Sequence, residues 1–181
     1  KQIEVDTIPV NALFGKELET IVLPIHIKYI DENALNTNAR IYLTGPYPKR
    51  AAYIGGISFI LSNDNIYCKK TENGIFSSDG KILYEAFENY KLYFEEGLET
   101  IETYAFVNVR DYRFPKTLKV IKEKAFYNLD WLIPVSFMDY SDPTIIMKAK
   151  EPPVLGENAF VMSDEQYCEY PLSVPEGCIE I

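Results

Sequence analysis

The chain has 181 residues, 47% of them hydrophobic and 25% charged, which is ordinary for a soluble globular domain. Its net charge of −9 would on average repel a nucleic-acid backbone or an anionic membrane. The longest apolar stretch, around Ile54–Leu61, is far too short to cross a bilayer. We therefore expect one domain spanning residues 1–181, without a nucleic-acid partner and without a transmembrane segment.

From its first residues the chain repeats one block. Two apolar residues three positions apart are followed, four positions later, by alanine and a large apolar residue. The block occurs at Val5-Ile8-Ala12-Leu13, Ile27-Ile30-Ala34-Leu35, Leu98-Ile101-Ala105-Phe106 and Leu118-Ile121-Ala125-Phe126, and more weakly at Leu155-Ala159-Phe160. Such self-similarity is typical of a solenoid, whose units bury their apolar faces only against their neighbours. It predicts a long surface rather than a pocket, and so favours binding over catalysis.

Short stretches of alternating apolar character lie between these blocks and end near proline or glycine. They are residues 18–24, 40–45, 91–94, 111–115 and 145–149. Alternation with period two predicts a strand with one buried face, so each stretch should form one rung of a parallel sheet. The alanine block should turn the chain on the opposite side. There we expect Phe106, Phe126 and Phe160 to stack as buried rungs.

The middle of the chain, at about residues 57–90, does not follow this pattern. Two apolar runs flank the sequence Ser78-Asp79-Gly80-Lys81. An Asp-Gly pair supplies the positive φ that a tight turn requires, so these runs predict an inserted β-hairpin. Ala86-Phe87 lacks the upstream apolar pair at the right spacing, and we interpret it as the exit of the hairpin rather than as a repeat.

Several of these motifs resemble the BspA-like leucine-rich repeats of bacterial surface proteins. The resemblance is fullest at Phe114–Phe126, and it extends to the hairpin region Asn65–Leu83 and the proline-rich end Glu151–Gly177. It is weaker at Val109 and Leu129 and is lost at 131–143. The resemblance implies an α/β repeat fold, a right-handed leucine-rich-repeat solenoid with short parallel strands. It also implies an extracellular or cell-surface location and adhesive or recognition roles. Because the chain starts at Lys1 rather than Met, we expect any targeting segment to have been removed ahead of it.

Residues that could support chemistry are few and scattered. The chain has one histidine, His26, and three cysteines, of which Cys168 and Cys178 would bridge only in an oxidising compartment. Asp139 and Asp142 form one of many accidental carboxylate pairs, and Asn63–Asn65 lacks the glycine and distal glutamate of a calcium loop. We therefore expect a protein that is not an enzyme and that has no cofactor and no catalytic metal.

What remains is the solvent face of the predicted strands, where alternation places every second residue outward. The candidate face consists of Thr20, Val22, Arg40, Tyr42, Lys91, Tyr93, Asp111, Arg113, Ile146 and Lys148. Tyrosine and arginine are frequent at binding hot spots, although tyrosine also simply suits strands. We expect Tyr93 to lie beside Arg113, and Lys91 beside Asp111. A protein or glycan partner is the first interpretation, a structural spacer without a ligand is the second, and a glycan-processing enzyme is a distant third.

Overall fold

The computed structural model describes residues 5–35, 39–52, 59–87, 91–106, 111–127, 145–147, 151, 153–161 and 172–173. The chain divides into two compact units, unit 1 (Lys1–Lys70) and unit 2 (Thr71–Ile181). Strands, turns and bends make up the described residues, and no helix occurs among them. The α component of the predicted α/β class is thus not seen in those residues. The right-handed sense and the single domain stay predictions.

Six of the seven strands described in unit 1 stack in two parallel sheets. The strands are β1 (Thr7–Ile8), β2 (Thr20–Leu23), β3 (Tyr29–Ile30), β4 (Arg40–Leu43), β5 (Lys49–Arg50), β6 (Phe59–Leu61) and β7 (Cys68–Lys70). One sheet has the order β1-β3-β5 and the other the order β2-β4-β6. Since each coil of chain contributes one strand to each sheet, the arrangement is that of a repeat solenoid.

Unit 2 continues the same scheme with more strands. They are β8 (Gly74–Ser77), β9 (Ile82–Ala86), β10 (Lys91–Tyr93), β11 (Thr100–Ile101), β12 (Asp111–Phe114), β13 (Val120–Ile121), β14 (Phe126–Tyr127), β15 (Ile145–Met147), β16 (Val154–Leu155), β17 (Phe160–Val161) and β18 (Leu172–Ser173). One parallel sheet has the order β10-β12-β15-β18, another joins β9, β11, β13 and β16, and β14 pairs with β17. All five stretches predicted as rungs contain a strand.

The second set of parallel strands is a structural element that the sequence prediction missed. Two-residue strands form at the second apolar residue of the repeat block, as at Ile101 in β11 and Ile121 in β13. Their shortness explains the omission, because alternation over two residues cannot be recognised as a period. Each coil therefore contributes to two parallel sheets, where the sequence had predicted one.

Stacked phenylalanine rings fill the interior of unit 2. Phe106 and Phe126 are fully buried, and their ring centroids lie 4.5 Å apart at an interplanar angle of 2°. Phe94 and Phe114 form a second stack at 5.6 Å and 6°, edge-on to the first. The predicted stacking and burial are thus confirmed for Phe106 and Phe126. Phe160 lies opposite Phe126 in the strand register.

The residue before each repeat alanine adopts a left-handed backbone conformation. The φ angles are 57° at Asn11, 53° at Asn33, 58° at Tyr104, 50° at Lys124 and 52° at Asn158. This conformation turns the chain sharply, and the residue after the alanine donates its N–H to the alanine carbonyl of the next coil, as from Phe106 to Ala125 at 2.9 Å. Ala105, Ala125 and Ala159 are buried, because a larger side chain would separate the coils.

The hairpin consists of β8 and β9, which pair antiparallel with an irregular register between Ile75 and Phe76. Its turn is closed by the N–H of Gly80 donating to the carbonyl of Ser77 at 2.8 Å. Gly80 has the positive φ of the turn (79°), whereas Asp79 contributes to the turn through its side chain. The Asp79 carboxylate accepts from the Ser77 hydroxyl at 2.6 Å and from the Lys81 N–H at 3.0 Å. Both hydrogen bonds lower the pKa of Asp79.

Candidate binding face

The outward residues of β10 and β12 form the best-defined part of the candidate face. Tyr93 pairs in register with Arg113, and Lys91 pairs with Asp111, as predicted from the repeat spacing. The Arg113 guanidinium carbon lies 5.0 Å from the centroid of the Tyr93 ring, within the range of a cation–π contact. Both side chains are exposed, with 48% of Tyr93 accessible to solvent. The predicted adjacency of Tyr93 and Arg113 is confirmed.

The aromatic core holds this exposed pair in place from below. Phe94 and Phe114 directly follow Tyr93 and Arg113, point inward, and form the second ring stack. Alternation along the strands therefore puts one stacked pair inside and another outside. Asn73 adds a further link from the hairpin, since its side-chain amide donates to the carbonyl of Tyr93 at 3.0 Å.

Unit 1 has its own outward rows, on the sheet formed by β2, β4 and β6. Thr20 pairs with Arg40, and Val22 pairs with Tyr42, which in turn pairs with Ile60. Val22 is 60% exposed, whereas Tyr42 and Ile60 are half-buried. The row is apolar and aromatic, and Val22 is its most solvent-exposed member.

The remaining members of the predicted face are placed by register alone or not at all. Ile146 in β15 pairs with Arg113 and then with Ser173 in β18. The row across these strands therefore runs Tyr93, Arg113, Ile146, Ser173, and Arg113 is the one charged residue among these four. Lys148 lies outside the described residues.

A second exposed face, on β9, β11, β13 and β16, was not predicted. Its outward row contains Ile82, Thr100, Val120 and Val154, in mutual register. Beside that row, Glu99 accepts from Lys81 at 3.1 Å and from Lys119 at 2.9 Å, and Lys122 pairs with Glu102. The two lysines lower the pKa of Glu99, and Glu99 raises that of Lys81. The signal was present in the sequence as opposite charges about 20 positions apart.

Asn65, which belongs to the segment considered as a calcium loop, has a structural role. The Asn65 amide donates to the carbonyls of Leu43 and Gly45, and its oxygen accepts from the N–H groups of Tyr67 and Cys68, all at 2.9 Å. Asn65 therefore caps its own turn and links it to the preceding coil. No cluster of three or more metal-ligating side chains occurs among the residues that the structure describes.

Cys68 and His26 belong to unit 1. Cys68 is a free, buried thiol, and burial raises its pKa to about 11, which makes it a poor nucleophile at neutral pH. His26 is half-buried in the turn between β2 and β3. Asp139, Asp142, Cys168 and Cys178 lie outside the described residues.

Short parallel strands and buried repeat alanines recur in unit 2 at intervals of about 20 to about 34 residues, and phenylalanine rings stack between successive coils. Residues 78–145 match the family model described as BspA type leucine rich repeat region, in six copies. The chain carries a BspA-type leucine-rich-repeat region. The predicted resemblance to BspA-like leucine-rich-repeat proteins is thus confirmed. Searches of curated proteins and of solved structures gave no match.

Leucine-rich repeats in general serve protein interaction or adhesion and act as non-enzymatic scaffolds, and BspA-type members are typically surface or secreted bacterial proteins. In the described part of the chain, no helix is long and apolar enough to cross a membrane.

Proposed function

We propose that this chain is a non-enzymatic recognition or adhesion module at the bacterial cell surface or outside the cell, and that it binds a protein or glycan through the outward face of its strands. The observation that carries the proposal is the exposed Tyr93–Arg113 pair, fixed on two paired strands. The right-handed solenoid expected from the BspA-type resemblance is the scaffold on which this face is displayed.

The physical argument rests on preorganisation. A side chain that is already held in one conformation loses little entropy when it binds, so more of its contact energy contributes to affinity. Tyr93 and Arg113 restrict each other by stacking, and the buried Phe94 and Phe114 fix the strands that carry them. Tyrosine and arginine are also the residue types that most often dominate binding energies.

The contrast between the two faces of unit 2 supports the choice of side. On the face of β9, β11 and β13, Lys81 and Lys119 are paired with Glu99, and Lys122 with Glu102. Its charges are therefore largely satisfied within the protein. On the face of β10 and β12, an exposed arginine is stacked on an aromatic ring instead.

The test is a screen of the purified chain against arrays of extracellular proteins and of glycans, followed by a comparison of variants. The double variant Tyr93→Ala, Arg113→Ala should lose capture of every ligand found, with a thermal midpoint within about 2 °C of the parent, since exposed substitutions change stability little. The matched control, Thr100→Ala with Val120→Ala on the face of β11 and β13, should retain capture. A spacer without a ligand would give no capture with the parent chain, and capture that persists in the double variant would show that the face is wrongly assigned.

A further inference from the structure

The Arg113 guanidinium is the unusual group on this face. Residues 71–181 contain twenty acidic and ten basic residues, so carboxylates are abundant around it. Nevertheless, within the described part of the chain no carboxylate lies within ion-pair distance of Arg113, and its contact is with the Tyr93 ring. A guanidinium has five N–H donors in a planar fork. Stacking on a ring uses the face of the guanidinium, whereas its N–H donors lie in its plane and have no acceptor among the described residues.

We infer that Arg113, positioned by Tyr93, binds a carboxylate of the partner, and specifically an Asp or Glu side chain of a protein. This inference rests on the proposed function and adds the chemistry of the contact. A planar carboxylate matches the guanidinium fork in a two-point hydrogen bond, which is stronger and more directional than a contact with a single oxygen.

The surroundings of Arg113 favour one isolated anionic group over a polyanion. Its row continues with the uncharged residue types Ile146 and Ser173, and the neighbouring row pairs Lys91 with Asp111 in register. The row therefore offers one positive charge rather than a basic stripe. At physiological ionic strength charges beyond about 8 Å are largely screened, so the overall charge of −9 does not prevent such a local contact.

The geometry also favours a protein carboxylate over a sugar acid. Aromatic side chains commonly bind sugars by exposing a free ring face to the pyranose. The Tyr93 ring carries the Arg113 guanidinium 5.0 Å from its centroid, which occupies one face. A short acidic side chain needs only the outer edge of the guanidinium.

The experiment is an NMR titration of the full chain with a blocked tripeptide that carries one central glutamate, following the Nε–Hε resonance of Arg113 among the four arginines of the chain. The resonance is assigned by its disappearance in Arg113→Lys. Backbone amides of β10 and β12 give a second readout that is available in every variant. We expect a saturable shift with the glutamate peptide and none with the matched peptide that carries glutamine in its place.

The variants distinguish three contributions to binding: the shape of the guanidinium, its positive charge and the Tyr93 ring. Arg113→Gln should weaken binding of the glutamate peptide by about tenfold, the usual size of a lost charge-assisted hydrogen bond. Arg113→Lys should still weaken it by about threefold, because lysine keeps the charge but not the fork. Tyr93→Phe should bind normally, since the ring is retained, whereas Tyr93→Ala should weaken binding. Lys116→Gln, an exposed residue in the turn after β12, is the control for loss of one positive charge and should bind like the parent.

Equal binding by the parent, Arg113→Lys and Lys116→Gln would overturn the inference, because the peptide would then sense only net charge. Equal shifts with a hyaluronate hexasaccharide would overturn the assignment to a protein carboxylate. The proposed function fails differently, by an absence of array ligands or by capture that ignores the face. Array capture that requires Tyr93 and Arg113, together with an unshifted Arg113 resonance, would refute the carboxylate contact alone.

Discussion

Exchanging the residues at the left-handed position of two repeats should change stability in opposite directions. Lys124 has a φ of 50° and Asn33 a φ of 53°, at the same place in their repeats. A left-handed conformation costs an ordinary L-residue about 1–2 kcal/mol, whereas asparagine tolerates it because its short side chain can hydrogen-bond locally. Lys124→Asn should therefore raise the free energy of unfolding by about 0.5–1 kcal/mol, and Asn33→Lys should lower it by a similar amount.

The structure makes this a clean comparison. Asn33 is exposed and Lys124 half-buried, and neither side chain has an ion pair in the described part of the chain. Urea denaturation, with the slope held constant, measures the free energy, and thermal midpoints should move by about 1–4 °C. Tyr104→Asn is the counter-example, since it relieves the same strain but removes a buried ring and should destabilise. Destabilisation by Lys124→Asn as well would refute the argument from backbone strain.

Two further predictions concern the core and the ion pairs of unit 2. Phe126→Ala should cost about 3–5 kcal/mol in urea denaturation, because Phe126 is fully buried and stacked on Phe106. The exposed Tyr93→Ala should cost under about 1 kcal/mol, and similar costs for both would contradict the ring stack. Lys119 and Lys81 hold the pKa of Glu99 below its usual 4.5, so ionised Glu99 stabilises the fold above the unfolded-state pKa, and that stability is lost as pH falls through the folded-state pKa. The difference in thermal midpoint between the parent and Glu99→Gln should therefore shrink on acidification from about pH 6 to about pH 3, and a constant difference would show that the pairs contribute nothing.

Much of this architecture could be predicted from the repeat block. The spacing from Ile101 to Ala105, repeated 20 residues later, fixes which residues stack, because a coil can bury its apolar side only against an equivalent coil. Alternation along residues 91–94 and 111–115 then determines which side chains point outward. The Tyr93–Arg113 contact follows from these two patterns alone.

Other features depend on three-dimensional placement that local patterns do not encode. The two-residue strands of the second sheet have no detectable period. The left-handed residues include Tyr104 and Lys124, whose types do not favour that conformation, so tertiary stacking overrides local preference there. Ala86 is similar. Its N–H donates to the Ala105 carbonyl at 2.7 Å, as that of Phe106 does to the Ala125 carbonyl, although Ala86 comes three positions after the buried Leu83 and Phe106 comes five positions after Ile101.

The alternation of inward Phe94 and Phe114 with outward Tyr93 and Arg113 separates two demands on the same strands. Residues that hold the coils together and residues that meet the surroundings occupy different sites one position apart. Selection can therefore replace the outward residues without disturbing the ring stack, and it can duplicate or delete a whole coil without altering the faces of those that remain. A chain built in this way can acquire a new specificity through surface substitutions while its folding code is inherited unchanged.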